Sequence, residues 1–172
     1  IKNNYIGKHN IAYLGKEYSN KQITKEIDNF EFEHDVEIAE VDKDNFKKLC
    51  DRVAKDLHRG LIVGWFQGKS EFGPRALGNR SILASPMDAN MKNYLNNSVK
   101  HREFWRPYAP VVLQEESHKY FDLPKGIESP HMMLSAKVLV DTLPAITHED
   151  KTARVQTVRA GENYRLTTLL ES

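Results

Sequence analysis

Short apolar runs alternate along this chain with segments of helical periodicity, and this alternation decides the fold class. Apolar side chains recur at helical spacing from Asp44 to Gly60 and from Pro86 to Val99. A short apolar run next to a helix stop or a turn is typical of a buried strand. The runs that predict strands are 61–66, 81–85, 109–113, 131–140 and 153–158. Strands that alternate with helices predict an α/β fold.

The two ends of the chain differ from its centre. Residues 1–18 are polar and aperiodic, which predicts a linker or domain edge ahead of one domain over 19–172. Ser19 and Gln22 have the spacing of a capping box, so a helix is predicted to begin there, and the alternating segment 31–41 follows it as a predicted strand. The chain does not begin with Met, and the apolar end of its last predicted helix has no partner further along the chain. Both features predict a fragment of a longer protein.

Composition excludes some classes of protein. The 25 Lys and Arg residues against 24 Asp and Glu give a net charge of +1, which does not support nonspecific binding of nucleic acid. The single Cys50 excludes an internal disulfide framework, and its place beside a helical apolar stripe predicts a buried, inert thiol. A cytoplasmic location is the simplest expectation. The chain contains no apolar run of about 18 residues.

The segment 68–86, GKSEFGPRALGNRSILASP, combines glycines with cations between two predicted strands. It is predicted to be a crossover loop with one short helical turn, since Pro74 suits the start of such a turn and Gly78 its end. A turn of this kind exposes N–H groups that favour an anion. The side chains that could add anion contacts are those of Lys69, Arg75, Arg80 and Ser81.

The residues of this segment leave two interpretations open. Gly73 and Gly78 have the spacing of a P-loop, but Asn79 and Arg80 stand where a P-loop requires Lys and Ser or Thr. The P-loop is therefore excluded. An anion-binding loop and a surface turn whose arginines pair with carboxylates such as Glu71 remain equally supported.

Two further clusters carry cations. In 100–110, KHREFWRPYAP, basic and aromatic residues interleave, as in sites that stack a base and hold a phosphate. Alone, this segment favours a plainer interpretation in which Trp105 and Tyr108 pack inward. In 147–158, the adjacent residues His148 to Asp150 rarely converge on one ion, so solvated charges are predicted there. Arg154 is a further potential anion ligand, and Arg-bearing loops at three places predict a polyanionic ligand.

The motifs GKSEFGPRALGNRSI, KHREFWRPYAPVVL and HEDKTARVQTV, in this order, closely resemble the NodU/CmcH-type carbamoyltransferases. This family includes nodulation proteins and antibiotic O-carbamoyltransferases. The segment 12–19, AYLGKEYS, resembles the family's junction between two domains. The resemblance implies the C-terminal, YrdC-like domain, with a twisted mixed sheet and flanking helices, truncated at its C-terminus. Lys151 stands where many relatives have Gly, which weakens only an inference about loop geometry.

The resemblance also implies an activity. In that family an N-terminal domain of the actin/sugar-kinase type, with a bound metal, transfers the carbamoyl group to a hydroxyl acceptor. The YrdC-like domain binds ATP and carbamoyl phosphate and forms carbamoyl-adenylate. Mg²⁺ is expected to arrive with ATP, and no metal site is expected within this chain. The chain alone is expected not to turn over.

Roles for individual residues follow from the resemblance and favour the anion-binding loop. The implied catalytic residues are Lys69, Arg75 and Arg80. The implied contacts to substrate and nucleotide are Gly73, Gly78, Ser81, Lys100, Arg102, Arg106 and Arg154. Formation of an adenylate depends on positioning and on stabilisation of charge, so no protein nucleophile is required.

Two other functions stay open at this point. A threonylcarbamoyl-adenylate synthase of the YrdC type, serving tRNA modification, rests on fold-level analogy alone. An RNA-binding module that uses 100–110 is disfavoured by the balanced charge. The expected partners are ATP, carbamoyl phosphate, the N-terminal domain and a hydroxylated acceptor that the sequence does not identify; no membrane partner is expected.

Overall fold

The computed structural model describes residues 12–34, 36, 38 and 45–172. Within these residues the helices are α1 (Asn20–Asp28), α2 (Phe46–His58), α3 (Met91–Tyr94), α4 (Ser117–Tyr120) and α5 (Tyr164–Leu170). The strands are β1 (Val63–Phe66), β2 (Arg80–Leu83), β3 (Val111–Leu113), β4 (Leu134–Lys137) and β5 (Thr152–Val158). A π-helical turn, Leu95–Val99, continues α3, and a 3₁₀ turn, Gln114–Glu116, precedes α4. The α/β class is confirmed.

The strands form two sheets. In the three-stranded sheet, β5 lies in the centre, parallel to β3 and antiparallel to β4. This is the mixed sheet that the family resemblance implies. A second sheet consists of β1 and β2 alone, paired antiparallel with Trp65 opposite Ser81 and Phe66 opposite Arg80.

The structure corrects two predictions about the segment between β1 and β2. The segment 67–79 is the connection of a hairpin, whereas a crossover loop was expected. The segment also contains no helical turn, so Pro74 does not begin one. The backbone N–H groups of this loop are therefore not oriented by a helix. Their orientation depends on the bends of the loop and on contacts with side chains, which are described below.

Two strands differ from expectation in extent or burial. A buried strand was predicted over 61–66, but only Val63–Phe66 is a strand, and Trp65 is buried while Phe66 is exposed because β1 has one covered and one open face. In the run 131–140 only Leu134–Lys137 is a strand. Met132 has a φ of 56°, in the left-handed region, so extended backbone cannot begin before it.

Three apolar clusters form the core of the described residues. One packs Phe121 against the three-stranded sheet at Ala153 and Val155. Another joins α2, α5 and β1 through Cys50, Val53, Trp65 and Leu169. The third joins Met91 and Leu95 to Ala145. Cys50 is fully buried, as predicted, and this burial raises the pKa of its thiol.

The N-terminal part is described from residue 12. The capping box at α1 is confirmed, since Ser19 and Gln22 exchange hydrogen bonds, although α1 buries none of its residues. The strand predicted over 31–41 falls partly outside the described residues, and its described part, 31–34 with 36 and 38, contains no strand. The domain boundary at residue 18 stays a prediction. None of the described helices has the length and apolar character needed to cross a membrane.

Candidate functional site: three loops around a buried polar network

The loop 67–79 is organised around one carboxylate of its own. Glu71 Oε1 accepts hydrogen bonds from the backbone N–H of Leu77 (2.7 Å), Asn79 (2.8 Å) and Arg80 (3.2 Å). The N–H of Gly78 donates instead to Ser81 Oγ at 3.0 Å. Four consecutive N–H groups are thus satisfied within the loop.

The ionisation of Glu71 follows from these bonds. Partial burial would raise the pKa of its carboxyl, but the backbone N–H groups of Asn79, Leu77 and Arg80 outweigh that effect and lower it. Among the described residues, Glu71 forms no ion pair with Arg75 or Arg80. The arginine–carboxylate turn that the sequence left open is therefore not the arrangement found.

The guanidinium of Arg80 donates hydrogen bonds to four backbone carbonyls. Its Nη1 donates to the carbonyls of Gln67 (2.6 Å) and Asn79 (2.7 Å), and its Nη2 donates to those of Gly68 (3.1 Å) and Lys16 (3.2 Å). The guanidinium also stacks 3.6 Å from the centroid of the Phe66 ring. This side chain holds the two ends of the loop together.

A buried polar network lies beneath the loop. Asn163 Nδ2 donates to Asn79 Oδ1 (2.9 Å) and to the hydroxyl of Tyr13 (3.0 Å), and its Oδ1 accepts from Gln67 Nε2 (2.8 Å). The Tyr13 hydroxyl in turn donates to the carbonyl of Leu77 at 2.8 Å. Since Asn163 is also the N-cap of α5, the network fixes the loop to that helix.

Residues 12–16 belong to the same unit. The backbone N–H of Gly15 donates to the carbonyl of Ser70 at 2.9 Å, and the N–H of Ser70 donates to that of Lys16 at 3.1 Å. Phe72 N–H donates to the carbonyl of Ala12, which is buried. The start of the described chain thus closes one side of the loop.

Gln156 joins the three motifs of the sequence. Its side-chain Nε2 donates to the carbonyl of Leu77 at 3.0 Å, and its backbone N–H donates to that of Pro110 at 2.9 Å. Gln156 lies on β5 with an exposed fraction of 2%. Because side chains alternate along a strand, Arg154 lies on the same face of β5 as Gln156. That face meets the loop 67–79.

Asn96 fixes the segment 100–106. This fully buried side chain donates through Nδ2 to the carbonyls of Phe104 (3.2 Å) and Arg106 (3.1 Å) and accepts from Arg102 Nε at 2.8 Å. The Arg102 guanidinium lies 4.5 Å from the centroid of the Tyr108 ring. Arg102 is therefore held within the segment.

The aromatic residues of this segment are only partly covered. Trp105 is 57% exposed and Phe104 is 70% exposed, so the expected inward packing of Trp105 is wrong, while Tyr108 is half-buried. Arg106 pairs with Glu103 at 3.0 Å and lies 5.9 Å from the centroid of the Trp105 ring. Two aromatic rings and a cation thus face solvent at this point.

Four of the predicted cationic residues have charged groups without a hydrogen-bonding or ion-pair partner among the described residues. Within the described part of the chain, their side chains form no hydrogen bond or ion pair, and each residue is exposed. They are Lys69, Arg75, Lys100 and Arg154. By contrast, Arg80, Arg102 and Arg106 have partners. Of the remaining predicted residues, Gly73 is exposed and Ser81 and Gly78 bond to each other.

Sequence reasoning missed the polar residues that build the site. Gln67, Asn79, Asn163 and Gln156 are all buried, and each forms side-chain hydrogen bonds, although Gln67 Oε1 has no partner among the described residues. Buried polar side chains must find partners, but which partners depends on the fold. The sequence offered one indication of this network: Gln67 directly follows the apolar residues of β1, and Gln156 lies among those of β5.

The third motif carries solvated charges, as predicted. His148 and Asp150 are exposed and lie 3.5 Å apart, and Asp150 accepts from the N–H and hydroxyl of Thr152. Bonds from the hydroxyl and then the N–H of Thr152 lower the pKa of the Asp150 carboxyl. In the described residues, no group of three or more His, Cys, Asp or Glu side chains is placed to hold a metal ion.

Lys151 has a φ of 62°, in the left-handed region where glycine is favoured. We expect Lys151→Gly to raise the free energy of unfolding by about 0.5 kcal/mol, because relief of this conformation is partly offset by the greater entropy of the unfolded chain. Urea denaturation measures the change. The control is Lys125→Gly, at an exposed residue without positive φ, which should lower stability. A loss at both positions would contradict the prediction.

A cavity of about 390 Å³ lies elsewhere, between α2, β2, α3 and α5. Apolar side chains make up most of its lining, among them Leu57, Leu83, Met91, Ile146 and Leu169. None of the predicted site residues lines it. The cavity is therefore separate from the cationic surface.

Comparison with known proteins identifies relatives of this chain. A family model described as the carbamoyltransferase C-terminus matches residues 54–172, a range that contains every predicted site residue. Nodulation protein NolO of Bradyrhizobium diazoefficiens is 41% identical over 156 residues, which cover 88% of this chain and 27% of NolO. The 3'-hydroxymethylcephem-O-carbamoyltransferase of Amycolatopsis lactamdurans is 42% identical over 123 residues, covering 71% of this chain and 23% of that enzyme.

Nodulation protein U of Rhizobium tropici is 40% identical over 111 residues, which cover 63% of this chain and 19% of that protein. The chain thus spans about a quarter or less of the length of these curated relatives. Its similarity to them is confined to that part of their length.

Proposed function

We propose, from the premise that this chain belongs to the carbamoyltransferase C-terminus family, that it binds ATP and carbamoyl phosphate and forms carbamoyl-adenylate. The carbamoyl group would then pass to a hydroxyl acceptor. The observation that carries the proposal is a set of exposed cations without internal partners, which lie on two loops and on β5, three segments that Gln156 connects.

The placement of these cations suits a ligand with several phosphate oxygens. Arg75 lies two residues before Leu77, whose carbonyl Gln156 binds, and Arg154 lies two residues before Gln156 itself. Lys100 lies in the segment that leads to Pro110, the third contact. Arginine stays charged at any physiological pH and can hold two oxygens at once. Two arginines and two lysines supply four positive charges, which complement the negative oxygens of a triphosphate and carbamoyl phosphate.

Formation of carbamoyl-adenylate requires that the two substrates be positioned and that the charge developing on the phosphates be stabilised. Water first cleaves carbamoyl phosphate into carbamate and inorganic phosphate. A carbamate oxygen then bonds to the α-phosphorus of ATP, and the bond from that phosphorus to pyrophosphate breaks. Negative charge then develops on the departing pyrophosphate, where cations fixed by a rigid framework stabilise it. In this proposal Lys100 and the Mg²⁺ that arrives bound to ATP stabilise that charge, while Lys69, Arg75 and Arg154 bind the phosphate of carbamoyl phosphate.

Arg80, Arg102 and Arg106 take a different part in the proposal. Arg80 and Arg102 shape the loops through bonds to neighbouring oxygens. Arg106 can contact a ligand once its exposed pair with Glu103 opens, which costs little because surface ion pairs are weak. Acceptor binding is assigned to the additional length that the relatives possess. The name of one relative specifies a hydroxymethylcephem acceptor.

Calorimetric titration tests this function. The chain should bind Mg²⁺–ATP and carbamoyl phosphate, and Arg154→Gln should weaken the binding of carbamoyl phosphate about tenfold, because one charge-assisted contact is lost. The matched control is Arg165→Gln on α5, at an exposed arginine that has no ion pair among the described residues. That variant should bind as the unmodified chain does.

Two results would count against the function. A folded chain that binds neither ligand would contradict it directly. A loss of affinity of the same size in Arg165→Gln would indicate that net charge, and not a site, attracts the anions.

A further inference from the structure

A single oxygen of Glu71 accepts hydrogen bonds from the backbone N–H groups in the loop 67–79 and at the start of β2. Three backbone N–H groups, from Leu77, Asn79 and Arg80, converge on this atom within 3.2 Å. Successive N–H groups that point into one concavity form a nest that binds phosphate or carboxylate. Here the carboxylate belongs to the chain itself.

The N–H of Gly78, which lies between those of Leu77 and Asn79, also has a partner, since it donates to Ser81 Oγ. No backbone N–H from Leu77 to Arg80 is therefore left for a ligand, and this conclusion differs from the helical-turn site expected from the sequence. The contacts that remain for a ligand in this loop are side chains. Lys69 and Arg75 are the ones that have no internal partner among the described residues.

The position of Arg75 depends on the same carboxylate. The bond from Leu77 N–H to Glu71 closes the chain between these two residues into a small loop. Gly73 and Arg75 lie within that loop and are exposed. Among the described residues the side chain of Arg75 forms no hydrogen bond or ion pair, so the backbone that carries it is held by the closure at Glu71 and by the bond from Phe72 N–H to the carbonyl of Ala12.

We propose that Glu71 is a positioning residue that fills the backbone nest of loop 67–79 and thereby presents Arg75 to the substrate phosphate, so that the substrate binds to side chains and not to the nest. The part that concerns the substrate rests on the proposed function. The part that concerns the nest does not, and it can be tested without any substrate.

The experiment removes the internal carboxylate and supplies one from solution. In Glu71→Ala the nest is vacated, and formate is small enough to take the place of the lost carboxylate. We expect Glu71→Ala to weaken the binding of carbamoyl phosphate about tenfold, and formate to restore most of that affinity. Arg75→Ala should also bind weakly, but formate should not restore its affinity, because the group that it lacks is a cation.

Amide signals in NMR spectra report on the nest itself. In Glu71→Ala, titration with formate should shift the amide protons of Leu77, Asn79 and Arg80, whereas the unmodified chain should show no such shifts because its nest is filled. The Glu71→Gln variant keeps an acceptor oxygen without the charge and should lie between the two. It also provides a folded comparison if Glu71→Ala proves unstable.

The outcomes separate the two proposals. If Glu71→Ala binds carbamoyl phosphate as tightly as the unmodified chain, or more tightly, the positioning role is overturned. If formate shifts none of the three amides, the nest is overturned as well. If the unmodified chain binds no carbamoyl phosphate at all, the proposed function and the positioning role fail together, while the formate-dependent shifts still decide whether the nest takes a carboxylate.

Discussion

Replacing Gly78 with alanine should lower the free energy of unfolding by about 3 kcal/mol, through two effects at one position. Gly78 has a φ of 104°, which side chains other than glycine rarely adopt. A Cβ added there would also lie 2.4 Å from Cδ2 of Leu166. Leu166 is only 1% exposed, so it has little room to move away.

Two other glycines provide matched controls for this variant. Gly73 has a φ of 121° but open space where the methyl group of an alanine would lie, so Gly73→Ala measures the backbone effect alone, about 1–2 kcal/mol. Gly64 has neither positive φ nor a close neighbour, and Gly64→Ala should change stability little. Urea denaturation of the three variants gives the comparison. Equal losses in Gly78→Ala and Gly73→Ala would contradict a contribution from Leu166.

The consequence for the site follows from the contacts of Gly78. Its carbonyl accepts from Gln67 Nε2 at 3.0 Å and its N–H donates to Ser81. A displaced backbone at this position would disturb both the buried amide network and the nest filled by Glu71. The second glycine of the FGPRALGNRS motif, Gly78, is thus explained by its positive φ and its packing against α5, and contact with a ligand is not required to account for it.

The strands could be predicted because apolar runs mark them directly. All three runs that flank the cationic motifs, 61–66, 81–85 and 109–113, contain strands. Their partners could not be predicted, because apolar character does not specify direction. The antiparallel pairing of β1 with β2 depends on the route of the 67–79 loop, which is set by side-chain contacts with Glu71 and Arg80.

The partners of the cationic side chains could not be predicted from the sequence either. Arg75 and Arg80 belong to one motif and have the same side chain, yet Arg80 donates to four carbonyls and Arg75 to none among the described residues. The difference arises because Arg80 begins β2 opposite Phe66, where its guanidinium can stack and reach the loop carbonyls. A sequence pattern identifies the charge but not its internal partners.

The double variant Lys69→Gln/Arg75→Gln should bind carbamoyl phosphate about 100-fold more weakly than the unmodified chain, since it removes two charge-assisted contacts. Stability should hardly change, because both side chains are exposed and have no internal partner among the described residues. Calorimetry measures the affinity and urea denaturation the stability. The matched control, Lys125→Gln/Arg165→Gln, removes the same charges from exposed positions outside the three motifs.

The dependence on salt separates a site from a general attraction. If Lys69 and Arg75 contact the phosphate, the double variant should lose affinity at every salt concentration and show a shallower decline with added salt than the unmodified chain, because fewer charges take part. The control should keep both the affinity and the slope. Equal losses in the two double variants would mean that the exposed cations act only through net charge, and the loop 67–79 would then be a structural element whose carboxylate, Glu71, is the only anion that it binds.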